Sequence, residues 1–131
     1  MRARWQLAAV LAAGTALAGV APALAQDADV ENFRVRDAGS LERLCGMAES
    51  RPLYAQARQF CYGYIAGAAT VYREAVNAGG MQKSICASKE PTVEEMRSIF
   101  TGWVGRNPNA RDQDAADALL ASVTAAYPCR T

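Results

Sequence analysis

Apolar residues recur at helical spacing along most of the chain, and nowhere do they alternate with polar ones strongly enough to predict strands. The longest such stretch runs from about Tyr54 to Asn77 and is closed by Gly79-Gly80 in the manner of a C-terminal glycine cap. Phe60, Tyr64, Ala68, Val71 and Ala75 fall three or four apart, which predicts one inward face for them. Gly63 and Gly67 share a second face. Each glycine costs a helix about 1 kcal/mol relative to alanine, so close packing of another backbone against Gly63 and Gly67 is the expectation.

Three shorter helices accompany it. Ser40 reads as the N-cap of the first, with Glu42 in its first turn and Leu41, Leu44, Cys45 and Ala48 facing inward. Ser50-Arg51-Pro52 is expected to end it, because proline disfavours helix in the residue before it. Thr92 and Glu95 form a capping box for the third helix, whose inner side is Val93, Met96, Phe100, Trp103 and Val104 and whose stop is Asn107-Pro108. The fourth begins near Asp112 or Asp114, buries Ala116, Leu119, Leu120, Val123 and Tyr127, and ends at Pro128. Residues 27–37 read as an extended lead-in with Phe33 and Val35 against the core, and residues 81–90 as a loop. The expected fold is all-α, a small four-helix domain.

The N-terminus departs from this pattern. Arg2 and Arg4 precede an unbroken apolar and small-residue run, Leu7 to Val20, and Ala23-Leu24-Ala25 supplies a small-x-small cleavage site. The run is short for a bilayer span, which needs about 20 apolar residues, and no basic stop-transfer flank follows. Residues 1–25 are therefore expected to be a signal peptide and 26–131 a single exported domain without a stable membrane anchor.

Composition then narrows the chemistry. The chain has 14 basic and 13 acidic residues; removing Arg2 and Arg4 with the signal leaves 12 against 13, a net charge of −1. No basic stripe survives, which argues against nucleic acid as a partner. The absence of histidine removes the commonest general base and metal ligand. Glu94-Glu95 and Asp112, Asp114 and Asp117 crowd helix starts, where capping and the helix dipole favour acids. Tyr62, Tyr72 and Trp103 read at helical spacing as core aromatics, with the lining of a groove as the alternative. No cofactor, no metal and no catalytic activity are expected; binding is.

Cys45, Cys61, Cys86 and Cys129 all lie in the mature region, and an even count in an exported chain implies disulfides. Sequence leaves three connectivities open. A hairpin of the first two helices would set Cys45 and Cys61 at similar depth, and a hairpin of the last two would leave Cys86 and Cys129 at the same open end. Cys45–Cys61 and Cys86–Cys129 are the pairs expected on that arrangement.

The order of features carries a resemblance: Gly39-Ser40-Leu41, Leu44-Cys45, Phe60-Cys61-Tyr62-Gly63-Tyr64-Ile65-Ala66-Gly67, Ile85-Cys86, Pro91-Thr92-Val93, Asn107-Pro108 and Tyr127-Pro128-Cys129. Together these resemble the Rap/Tai family of periplasmic immunity proteins from Phe33 onward. One departure is Ala87-Ser88-Lys89-Glu90 between Cys86 and Pro91, where the family often has proline soon after the cysteine. The resemblance implies a periplasmic helical protein, often a homodimer, that binds and occludes a type VI secretion amidase effector cutting peptidoglycan. The turn between the third and fourth helices, with Arg106, Asn107, Asn109, Arg111, Asp112 and Gln113, is the segment best equipped to hydrogen-bond such a partner. Two other classes fit the same composition: an acid-stress chaperone of the HdeA kind, and a binding or structural subunit of the cell envelope.

Overall fold

A computed structural model of the chain describes residues 32–130; the expected signal peptide lies outside them. Among the described residues four helices are present, α1 (Ala38–Cys45), α2 (Tyr54–Asn77), α3 (Val93–Arg106) and α4 (Ala115–Ala126), with a 3-10 turn (Pro108–Asp112) between the last two. Among the described residues the only extended pairing is an isolated antiparallel bridge between Ile85 and Pro128. The fold is all-α with two disulfides.

The helix boundaries follow from local chemistry. Asp37, not Ser40, caps α1: its carboxylate accepts the Ser40 amide at 2.8 Å, and the Ser40 hydroxyl accepts the Asp37 amide at 3.1 Å. Ser40 is thus the reciprocal member of the capping box, three residues inside the position expected of it. The helix stops at Gly46, well before Pro52, so Ala48 lies beyond the helix and is exposed. Gly79, at φ +74°, turns the chain out of α2 through the left-handed region that glycine tolerates. Thr92 and Glu95 form the capping box of α3 in both directions, and Asp114 caps α4 through the Ala116 and Asp117 amides.

The core is built around α1. Ala38, Leu41, Leu44 and Cys45 are all buried, and α1 packs against α2, α3, α4 and the 3-10 turn. Phe100 and Val104 of α3 meet Cys61 and Ile65 of α2 and Ala118, Leu119 and Val123 of α4 in one cluster, with Val35, Met96 and Trp103 packed around it. Phe33 contacts Phe60 with ring centroids 5.9 Å apart. On α4 the buried side is Ala115, Ala118, Leu119, Ser122 and Val123, while Ala116 faces out.

The face of α2 differs from the expected one. Ala57, Cys61 and Ile65 are buried, Tyr64 and Ala68 only partly so, and Val71 is 69% exposed. Small apolar residues surround this helix, so periodicity fixed its phase poorly; Cys61, bonded to Cys45 with Cα atoms 5.1 Å apart, sets it. Gly63 and Gly67 each lie two residues beyond Cys61 and Ile65, a rotation of about 200°. They are exposed, and a Cβ on either would meet nothing within 4 Å. The close packing expected of Gly63 and Gly67 is absent within this chain. A glycine that does sit in a tight contact with a distant part of the chain is Gly39, whose added Cβ would lie 3.2 Å from the Arg111 Cβ.

Tyr72 organises the α2–α3 connection. Its hydroxyl accepts the Ser84 amide at 2.8 Å and the Ile85 amide at 3.0 Å, and Ser84 Oγ lies 3.3 Å from the Thr124 hydroxyl of α4. Beside it, the Cys86 amide donates to the Tyr127 carbonyl at 2.8 Å, and Cys86 is bonded to Cys129 with Cα atoms 4.9 Å apart.

Because both glycines face open space in a helix interior, Gly63→Ala and Gly67→Ala are each expected to stabilise the isolated protein by about 0.5–1 kcal/mol. Chemical denaturation measures this; destabilisation by either would show that something packs there. Tyr72→Phe strips two amides of their acceptor and should cost about 1–2 kcal/mol, with faster hydrogen exchange at Ser84 and Ile85 and unchanged helical circular dichroism.

Candidate partner-binding surface

The chain between α3 and α4 is short, polar at its surface and fastened at both ends. Asn107 ends α3: its side-chain amide donates to the Trp103 carbonyl at 2.8 Å, and its own amide reaches Trp103 and Val104. Pro108 suits the start of the turn, since its fixed φ fits and no amide there needs a partner. Ala110, 3% exposed, pins the middle of the turn into the core. The Gln113 carbonyl accepts the Ala38 amide at 2.9 Å, joining the far end of the turn to the start of α1.

The six turn residues expected to meet a partner, Arg106, Asn107, Asn109, Arg111, Asp112 and Gln113, are all exposed, but they divide by what they already hold. Arg111 makes a two-pronged pair with Glu42 of α1, Nε to Oε2 at 2.7 Å and Nη2 to Oε1 at 3.0 Å. That geometry raises the pKa of the guanidinium, chiefly through its hydrogen bonds with Glu42 and then through the carboxylate's charge. Asn107 is engaged in closing α3. Arg106, Asn109, Asp112 and Gln113 are exposed at this corner, the Arg106 guanidinium lying back beside Gly102 of α3.

Next to the corner, α3 and α4 flank a shallow groove of about 190 Å³ lined by Ile99, Trp103, Arg106, Ser122 and Ala125 among others. Trp103 thus has two roles: it packs on the core and forms a wall of this groove. Arg106 belongs to both groove and corner. A larger depression of about 470 Å³ lies on another side, where Phe33, Met47 and Leu53 form an apolar floor between Arg43 and Arg51. Nothing in the hydrophobic periodicity marked it, because its lining comes from the lead-in and the α1–α2 connection.

A separate polar cluster ties α2 to α3. Glu94 accepts from Arg97 at 3.0 and 2.5 Å and from the Tyr62 hydroxyl, with Arg58 4.0 Å away. Arg58 lies over the Tyr54 and Tyr62 rings at 6.0 and 5.2 Å and donates to both hydroxyls. Arg97 also donates to the Cys45 carbonyl at 2.8 Å, so this cluster supports the C-terminal end of α1. The Arg97 hydrogen bonds, then that from Tyr62, hold the Glu94 carboxyl down to about 2 from its ordinary 4.5. Each group in the cluster has a partner, and the arrangement is one of structural support. Among the described residues no group of Cys, Asp and Glu is placed to hold a metal ion, and no helix is long and apolar enough to cross a membrane.

A family model described as Rap1a immunity proteins matches residues 37–129. No curated protein and no solved structure matches the chain.

The Glu94 cluster makes an acid-dependent contribution with a definite sign. A carboxyl whose pKa falls from 4.5 to about 2 on folding stabilises the protein above pH 4.5, and that contribution is lost as pH drops toward 2. Solvent around this half-exposed group keeps the effect to about 1 kcal/mol or less. Glu94→Gln should be less stable than the parent at neutral pH, and the gap should close by pH 2 in denaturant titrations. A constant gap across that range would separate the loss from titration of Glu94.

Proposed function

The chain belongs to the Rap1a immunity-protein family, and from that premise we propose that it neutralises a peptidoglycan amidase delivered by type VI secretion, binding the effector in the periplasm and covering its substrate groove. The family match over residues 37–129 carries this reading. It spans all four helices, both disulfides and the turn.

The α3–α4 corner is the element suited to the contact. A partner that binds a preformed surface avoids the cost of ordering it, about 0.5–1.5 kcal/mol for each flexible side chain immobilised. Here the backbone is held by Ala110, by the Asn107 cap and by the Gln113–Ala38 hydrogen bond. Arg111 is fixed by Glu42 and acts as a strut. Arg106 and Asn109 then offer donors to carbonyl and carboxylate groups of the effector, and Trp103 offers an apolar wall beside them. Tryptophan and arginine are the residues most often found to dominate such interfaces. No bond-breaking by this chain is involved; inhibition is steric.

Affinity for an amidase encoded beside this protein tests the assignment. Arg106→Ala is expected to weaken binding by about tenfold or more, corresponding to about 1.4 kcal/mol. Arg111→Ala should weaken it less, through loss of the strut, and should also lower stability. Unchanged affinity in both variants would remove this corner from the interface, and absence of binding by the parent would remove the amidase.

A further inference from the structure

The two disulfides occupy opposite environments. Cys45 and Cys61 are 4% and 0% exposed, sealed between α1 and α2 under the core. Cys86 is exposed and Cys129 half-buried, at the edge where the α2–α3 connection meets the end of the chain. Thiol–disulfide exchange requires a thiolate to reach one sulfur in line with the bond it breaks, so access decides which disulfide reacts. From this contrast we propose that Cys86–Cys129 is a site of thiol–disulfide exchange for a protein dithiol of the C-x-x-C class, while Cys45–Cys61 stays closed in the folded protein.

The incoming thiolate attacks Sγ of the exposed Cys86. A mixed disulfide forms there, and Cys129 leaves with the electron pair of the broken bond. The leaving Cys129 has Arg130 next to it in sequence, and positive charge favours a departing thiolate. Once protonated, the Cys129 thiol has the Lys83 carbonyl 3.8 Å away as an acceptor. The second thiol of the dithiol then attacks the mixed disulfide and releases Cys86. The partner is oxidised to its disulfide, and two electrons and two protons reside on Cys86 and Cys129.

The opening is local. The fully buried members of the core cluster and the Cys45–Cys61 bond lie away from this edge, and only Ile85 and Tyr127 reach the cluster from it. Tyr72 continues to hold the Ser84 and Ile85 amides. What loosens is the contact of residues 85–86 with 127–129, which the Ile85–Pro128 bridge and the Cys86-to-Tyr127 hydrogen bond then hold, with Ile85 and Tyr127 still seated on the core. This gives the fold a covalent fastening that can be undone without dismantling the helices, independently of any effector.

The test mixes the oxidised full chain with a C-x-x-S variant of a dithiol oxidoreductase, quenches with acid and maps the adduct by peptide mass spectrometry. The expected adduct is at Cys86, with Cys129 free. In limiting dithiothreitol, alkylation of Cys86 and Cys129 should run about tenfold or more ahead of Cys45 and Cys61. A Cys86→Ser/Cys129→Ser double variant should keep the helical circular dichroism and form no adduct. Labelling of all four cysteines at one rate, first labelling at Cys45 or Cys61, capture at Cys129, no capture, or an adduct on the double variant would each overturn the proposal.

Discussion

An eight-residue helix sits at the centre of this fold, and its burial is the constraint on which the other elements depend. A segment as short as α1 does not hold helical form in water, where about 12–15 residues are marginal even for favourable sequences. It is kept by its surroundings. Asp37 and Ser40 close its first turn, Arg97 reaches the Cys45 carbonyl at its last, and Cys45 is bonded to Cys61. With Ala38, Leu41, Leu44 and Cys45 all turned inward, α1 presents one buried side to all three longer helices and joins their shared core.

The polar contacts around α1 extend this support outward to the surface. Glu42 holds Arg111, and the Ala38 amide holds the Gln113 carbonyl, so the corner between α3 and α4 is fixed from beneath by the helix that organises the core. On the opposite side, Arg97 links the end of α1 to Glu94 and through it to Tyr62 of α2. The recognition surface proposed for this protein thus inherits its rigidity from packing several residues away. On that proposal, stability and binding are coupled through the Glu42–Arg111 pair.

Much of the helical framework could be read from residues alone. Tyr54–Asn77 was bounded by its apolar recurrence and its closing glycines, and Thr92 with Glu95 marked the start of α3 because both halves of that box are sequence-local. Failures came where tertiary contacts decide. Ser40 was a plausible cap, yet Asp37 three residues earlier offers a carboxylate, and only the fold shows which backbone turns first. The α2 face was rotated because alanine and glycine on all sides give periodicity little to act on. Gly63 and Gly67 looked like packing glycines by spacing, while Gly39, which does lie in a close approach, had no spacing signal because its neighbour Arg111 is distant in sequence. Of the corner residues, composition located the turn but could not show that Arg111 and Asn107 are occupied inside the chain. The contribution of Trp103 to the groove wall needed the α3–α4 arrangement.

The buried methyl group of Ala110 sits at the centre of a span whose ends are both anchored, at Asn107 and at Gln113. Inserting or deleting a single residue there would lift that methyl from its seat or break one anchor. If this corner is the recognition surface proposed above, change of preference there is confined to exchanging exposed side chains on a span of fixed length, and relatives that diverge in what they recognise should differ here in residue identity and not in loop size.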